Sequence, residues 1–189
     1  HVLRCFENDN ITHVDGSIDP VRDKGIIDTE LQLKDLETIE NRLAKTQKQA
    51  VVGGDKQAKR AVEILLQYKA VLEQGLSART VELEKEDRKL VADLNLLTDK
   101  PVLYVCNVDE KSAVTGNEHT RAVEAAIADE RAEMLIVAAA TEADIAELDE
   151  YEERQMFLEE IGLKESGVAR LIKAAYKLLD LQTFFTTGA

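Results

Sequence analysis

The sequence contains no tryptophan, two prolines, two cysteines and no long uninterrupted apolar run. A disulfide framework needs more cysteines in a shorter chain, so we expect Cys5 and Cys106 to be reduced, buried thiols with no disulfide partner. There is no secretory signal, and no apolar stretch is long enough to span a bilayer. These absences predict a cytoplasmic protein with no membrane partner.

Basic residues are outnumbered, 24 against 37 acidic ones, which gives a net charge of -13. A uniformly acidic surface repels nucleic acid, so any nucleic-acid site requires a local cluster of cations. Residues 42–60 provide such a cluster, with six cations against Asp55 alone. The six are Arg42, Lys45, Lys48, Lys56, Lys59 and Arg60. The cluster either contacts the phosphate backbone of RNA or the ribosome, or is a solvated helix end that aids solubility. Since no aromatic residue lies within it, stacking on single-stranded bases is not supported.

Apolar residues make up 44% of the chain, enough for a folded core. The apolar runs 102–106 and 134–137, with a strand-like start over 1–6, predict strands buried on both faces of a parallel sheet. Helices are predicted around 123–127, over 142–161 and over 166–179. The fold class is therefore α/β with a helical insertion. Ligands bind beyond the carboxyl ends of parallel strands, which directs attention to the loops after Phe6, Cys106 and Val137.

The insertion is predicted to be an antiparallel helical hairpin. Its first helix starts at Asp28 or Thr29, and Gly53-Gly54-Asp55 ends it. Asp55 then caps a second helix, and a third helix is expected over about 84–98. The apolar positions form a narrow stripe, which is typical of a two-helix projection. They are Leu36, Ile39, Leu43 and Ala50 on the first helix, and Ala58, Val62, Leu65, Leu66 and Leu72 on the second.

The loop after the second strand has the pattern Asn-x-x-Glu, from Asn107 to Glu110. GTPases carry Asn-Lys-x-Asp at this position, and the Asp accepts two hydrogen bonds from guanine. Glu is one methylene longer than Asp, and adenine lacks that pair of donors. Adenine does present an N7 acceptor beside an N6 donor, which an Asn amide matches. The pattern therefore indicates recognition that is relaxed or favours adenine, or else a turn capped by Asn and Asp.

Several stretches in the same order resemble the YchF/Obg-like ATPase family, also called EngD. They cover essentially the whole chain, and the Asn107–Glu110 pattern is the family's base motif. The others are Arg4 to Val14 with Asp19-Pro20, Thr29 to Leu36, Gly53 to Lys56, Leu97 to Pro101, Glu142 to Leu148 and Tyr176 to Gly188. The resemblance implies part of a P-loop (Ras-like) sheet over 1–27 and 100–189, with a coiled-coil hairpin inserted over 28–99.

The resemblance also implies a nucleoside triphosphatase linked to the ribosome or RNA, which uses ATP or GTP with Mg²⁺. A purine pocket is expected at Asn107, with Val108 against the base face and Glu110 near its edge. Ala138 and Ala139 would form the opposite wall. Phe6 is either an apolar neighbour of the base or a core residue.

The phosphate-binding loop of this family, Gly-x4-Gly-Lys-Ser/Thr, is absent from the sequence. The pair Gly162 and Gly167 has the spacing but is followed by Val168, and we interpret these glycines as helix caps. No catalytic or metal-binding residue is assigned, because the family's phosphate and Mg²⁺ ligands would precede His1. Both ends of the chain suggest a piece of a longer protein, and we expect this piece alone to be inactive. The alternatives are a non-catalytic hairpin that binds RNA, the ribosome or a protein, and an α/β scaffold with a structural loop.

Overall fold

Three apolar runs form a parallel sheet in the computed structural model, which describes residues 1–8, 16–52 and 55–187. The strands are β1 (Val2–Arg4), β2 (Val102–Asn107) and β3 (Ala132–Val137), in the order β1-β2-β3. Arg4 is in register with Asn107, and Asn107 with Val137, so the carboxyl ends of all three strands meet at one edge. The predicted α/β class with a parallel sheet is confirmed.

Seven α-helices accompany the sheet within the described residues. None of them is long and apolar enough to cross a membrane. Short 3-10 turns lie at Ala78–Thr80, Ala92–Leu94 and Glu110–Ser112. The helices are α1 (Pro20–Val52), α2 (Lys56–Glu73), α3 (Lys85–Val91), α4 (Glu118–Ala126), α5 (Ala139–Glu147), α6 (Tyr151–Glu160) and α7 (Gly167–Leu178).

The chain divides into two compact units. The sheet unit combines His1–Lys24 with Pro101–Ala189, and the helical unit is Gly25–Lys100. The core of the sheet unit is formed by inward-facing residues of the strands and of α4. Its fully buried members include Leu3, Cys5, Tyr104, Cys106 and Val123.

The helical unit packs α1 and α2 along the predicted stripe, which contributes Ile39, Leu43, Leu65 and Leu72 to its core. The stripe alone does not complete that core. Residues from the segment after α2 also enter it, among them Ala78, Val81, Val91 and Leu96. The expectation of a bare two-helix projection is therefore wrong for this part of the hairpin. Leu66, placed on the apolar side from the sequence, is exposed.

α1 begins earlier than the sequence indicated, with Asp19 and not Asp28 or Thr29 as its cap. Asp19 accepts hydrogen bonds from the backbone N–H groups of Val21 (3.1 Å) and Arg22 (3.0 Å), which makes it the helix cap. Pro20 follows as the first helical residue, where its missing N–H costs nothing. The Asp19-Pro20 pair was interpreted as turn punctuation, but the same pair is also a helix start signal.

Two predicted helices are interrupted. The helix expected over 84–98 ends at Val91, and Asn95 adopts the left-handed conformation (φ 49°) that closes the following 3-10 turn. The helix expected over 142–161 is divided into α5 and α6. Arg154 stabilises that break, because its Nε donates to the Leu148 carbonyl at 2.7 Å.

Candidate functional site

Asn107 lies at the carboxyl end of β2, the middle strand, and is half-buried. Its backbone carbonyl accepts a hydrogen bond from Cys5 N (2.7 Å), and its side-chain Oδ1 accepts one from Ala139 N (3.0 Å). The second bond orients the amide, because a carboxamide oxygen accepts and its nitrogen cannot. Among the described residues, no acceptor is found for Nδ2. The amide therefore presents a donor, and Oδ1 keeps a second lone pair for an incoming ligand.

Val108 and Ala138 occupy the buried side of this edge. Val108 is only 3% exposed and belongs to the core of the sheet unit, and its N–H donates to the Val137 carbonyl at 2.9 Å. Ala138 is buried just before α5. The structure thus brings the loops after β2 and β3 into direct contact, with small or buried side chains there. Contact of Val108 with a base stays a prediction.

Ala139 and Glu110 lie on the open side. Ala139 is exposed at the first position of α5, and Glu110 is exposed at the start of a 3-10 turn. That turn is capped by Asp109, whose Oδ1 accepts a hydrogen bond from Ser112 N at 3.1 Å. The capping role considered for the loop is thus filled by Asp109. Asn107 does not cap this turn, and its Oδ1 instead bonds the first N–H group of α5.

Phe6 follows β1 and is half-buried. The guanidinium of Arg4 lies over its ring, 5.0 Å from the ring centre, and Arg4 Nε donates to the Phe6 carbonyl at 3.2 Å. Phe6 therefore makes a cation–π contact with Arg4, and within the described residues it is not part of the sheet-unit core. Residues 9–15, which include part of the stretch from Arg4 to Val14, lie outside the described residues.

Asn117 was missed by the sequence analysis. It caps α4 in a reciprocal arrangement with Thr120, and its Nδ2 donates to the Cys5 carbonyl at 2.7 Å. It therefore fixes the end of β1 beside the candidate site. The Asn-x-x-Thr capping pattern was visible, but the contact with Cys5 joins residues 112 positions apart.

Glu142 and Gly167 form a second contact that the sequence did not indicate. Glu142 Oε1 accepts a hydrogen bond from Gly167 N, the first residue of α7. A Cβ at Gly167 would lie 2.8 Å from that oxygen and 3.0 Å from Val137 Cγ1. Gly162 has φ +78° and closes α6, as expected of a cap. At Gly167 the missing side chain instead allows Glu142 and Val137 to approach the backbone closely. Ser166 is the cap of α7.

The six basic residues lie on the facing ends of α1 and α2, and the structure divides them. Arg42 donates to both carboxylate oxygens of Asp93 (2.9 and 2.7 Å). Arg60 donates to both oxygens of Asp87 (3.0 and 2.6 Å) and to Glu63 (2.7 Å). These partners raise the pKa of Arg60, with the Asp87 hydrogen bond as the largest cause. The other four are exposed and form no ion pair within the described residues. They are Lys45, Lys48, Lys56 and Lys59. Gly53 and Gly54, the predicted break, lie outside the described residues.

Cys5 and Cys106 are free and buried, as expected. A hydrogen bond between the two thiols, together with burial, raises the pKa of Cys5 well above its ordinary value. The same hydrogen bond lowers the pKa of Cys106. Both side chains pack in the core of the sheet unit.

No protein-family model matches the chain. Individual proteins do match it along its whole length. A protein named ribosome-binding ATPase YchF from Bacillus subtilis is 49% identical over 190 residues. Those of Escherichia coli O157:H7 and Mycoplasma genitalium are 45% and 40% identical. The chain spans about half the length of these relatives, 51% in the Bacillus protein. A solved structure, the YchF GTPase of Schizosaccharomyces pombe, superposes with a TM-score of 0.86 at 26% identity, covering 99% of this chain and 51% of that one.

Proposed function

Since the chain belongs to the YchF family along its whole length, we propose that it is the base-recognising and hairpin-bearing part of a P-loop nucleoside triphosphatase. The complete protein binds ATP with Mg²⁺ and hydrolyses the bond to its γ-phosphate. The phosphate and Mg²⁺ ligands are not supplied by this chain. The relatives' names, ribosome-binding ATPase in the bacteria and GTPase in the yeast, support the class of reaction.

The observation that carries the proposal is the fixed orientation of Asn107. Its Oδ1 is held by Ala139 N at 3.0 Å, which leaves Nδ2 as the donor for a ligand in the space beyond the sheet edge. Adenine N7 accepts such a donor, and the adjacent N6 amino group donates to the remaining lone pair of Oδ1. Glu110 stands exposed beside this space, and its longer side chain does not reproduce the guanine contact of Asp. ATP is therefore favoured over GTP.

Asn107→Ala in the complete protein tests base recognition. The variant loses a two-point contact, and ATP binding should weaken by about 1–3 kcal/mol. Asn107→Asp is a sharper probe, because it keeps the acceptor for Ala139 N and replaces the donor by a second acceptor. Its ATP affinity should fall at least as far. Isothermal calorimetry with ATP measures both.

Asn41→Ala is the matched control, since Asn41 is an exposed residue of α1 in the other unit. Its ATP affinity should equal that of the unchanged protein. An Asn107→Asp protein that keeps full ATP affinity and a normal melting temperature would refute the assignment of the base site.

The hairpin supplies the second part of the proposal, which is contact with ribosomal RNA. Four exposed lysines on the facing ends of α1 and α2 have no carboxylate partner within the described residues. Arg42 on α1 and Arg60 on α2 instead bind Asp93 and Asp87, and so attach both helices of the hairpin to the segment after α2. In this proposal the lysines make the phosphate contacts, and the two arginines position them.

A further inference from the structure

Residues 142–160 of the sheet unit carry nine carboxylates and one cation. The cation, Arg154, donates to the backbone carbonyls of Leu148 (2.7 Å) and Asp149 (3.5 Å). It is therefore bonded to the α5–α6 connection, and no ion pair from it to a side chain is found within the described residues. Eight of the carboxylates are exposed, and no ion pair to them is found within the described residues. These are Asp144, Glu147, Asp149, Glu150, Glu152, Glu153, Glu159 and Glu160.

Helix electrostatics explains only part of this acidic surface, which we define as those eight residues. Glu152 and Glu153 lie in the first turn of α6, where the helix dipole favours negative charge. Glu159 and Glu160 lie in its last turn, where the dipole disfavours them, and no basic residue accompanies them. The isolated molecule therefore keeps unfavourable like charges that a cationic partner would offset.

An open groove adjoins the acidic surface, between α5, α6 and α7. It has a volume of about 500 Å³. Apolar groups line it, and they come from all three helices: Ile145, Leu158 and Val168. Tyr151, also in the lining, is 68% exposed, and Met156 on α6 is 70% exposed. Two cations also line the groove: Lys164 in the segment before α7, and Arg154 on α6, which is bonded to the Leu148 carbonyl. Cations of a partner are therefore directed away from the groove itself and toward the acidic surface.

We propose that this groove docks a lysine- or arginine-rich polypeptide segment, which places an apolar side chain against Tyr151 while its cations contact the acidic surface. Charge complementarity selects the partner. A nucleic acid and a second, equally acidic copy of this chain are both repelled. A bound metal ion does not account for the carboxylates, because no group of three metal-binding side chains is found within the described residues.

The test uses the full-length protein and a short fluorescein-labelled peptide of lysines and glycines with a central pair of leucines. Fluorescence anisotropy should show saturable binding that weakens as salt is raised. A triple variant, Glu152→Gln, Glu159→Gln and Glu160→Gln, should bind roughly tenfold more weakly, the loss expected for three exposed charge pairs. Tyr151→Ser should weaken binding severalfold at unchanged charge. Removing Glu159 and Glu160 relieves the helix dipole, so the triple variant should melt no lower than the unchanged protein.

The matched control removes three acidic residues on α4 and the turn after it, by Glu118→Gln, Glu124→Gln and Asp129→Asn. This protein should bind the peptide as tightly as the unchanged one. The proposal is overturned if the control loses as much affinity as the triple variant, since binding would then report net charge alone. It is also overturned if a peptide with alanines in place of the leucines binds equally well. Concentration-dependent dimerisation abolished by Tyr151→Ser would assign the groove to a second copy instead.

Discussion

The carboxylate of Asp35 is 2% exposed, yet it accepts three hydrogen bonds of 2.7 Å. The donors are the N–H groups of Leu97 and Thr98 and the Thr98 hydroxyl, which itself accepts from Ala78 N at 2.9 Å. Through these bonds Asp35 of α1 fixes the segments at Ala78 and at Leu97, both of which adjoin core residues of the helical unit. Burial of this carboxylate is tolerated because three donors are directed at it.

Asp35→Asn should therefore destabilise the protein. The amide keeps one acceptor oxygen and turns an NH₂ group toward donors, so at least one charge-assisted bond is lost at about 1.5–3 kcal/mol. Urea unfolding followed by circular dichroism measures the change. Glu37→Gln is the control, an exposed carboxylate two residues away that binds only Lys34 and should change stability by less than about 0.5 kcal/mol. Equal midpoints for the two variants would contradict this account of Asp35.

The structural roles of Asp35 and Asn117 could not be predicted from the sequence. Each looks like an ordinary polar position of a helix, and each acts through a partner more than 60 positions away. Asn107, by contrast, could be found, because it directly follows a buried strand and carries a recognisable pattern. Local pattern predicted the centre of the candidate site, and its role stays a prediction. Contacts between distant segments determine which residues surround it.

At the scale of elements, the three strands, the end of α1 and the bounds of α2 were predicted within a few residues, since apolar periodicity and glycine breaks determine them. The two interrupted helices were not predicted. Neither break contains Pro or Gly, the residues that usually signal a helix end. The break between α5 and α6 depends on the hydrogen bond from Arg154 to the Leu148 carbonyl. The start of α1 was missed for another reason. Asp-Pro is compatible with both a turn and a helix start, and only the structure decides between them.

Gly25 gives an element-scale test in α1. It lies inside a 33-residue helix, and a Cβ built there meets no atom within 4 Å. Gly25→Ala should stabilise the protein by about 0.5–1 kcal/mol, because alanine loses less backbone entropy on folding. Gly75→Ala is the contrasting variant, since Gly75 has φ +74° and an alanine there is strained by about 1–2 kcal/mol. Thermal melts of both proteins should shift in opposite directions; a lower melting temperature for Gly25→Ala would disprove the free space around it.

On the scale of the whole molecule, charge is divided between the two units. The helical unit holds 14 acidic and 13 basic residues, whereas the sheet unit holds 23 acidic and 11 basic residues. Almost the whole net charge of -13 therefore belongs to the sheet unit. Because the helical unit is nearly neutral, its own field does not strongly repel a polyanion that approaches the lysine cluster.

The last prediction concerns those lysines in the complete protein. Changing Lys45, Lys48, Lys56 and Lys59 to Gln removes up to about four phosphate contacts, so the slope of log K against log salt should flatten by roughly 0.7 per contact on single-stranded RNA. Stability should change by less than about 0.5 kcal/mol, because all four side chains are exposed. RNA and ribosome binding are measured across a salt series.

The control changes four exposed lysines elsewhere, Lys85, Lys89, Lys100 and Lys164, which carry the same total charge. Equal slopes for the two variants would show that the hairpin end is only a solvated surface, whereas a selective loss in the first assigns the RNA contact to it.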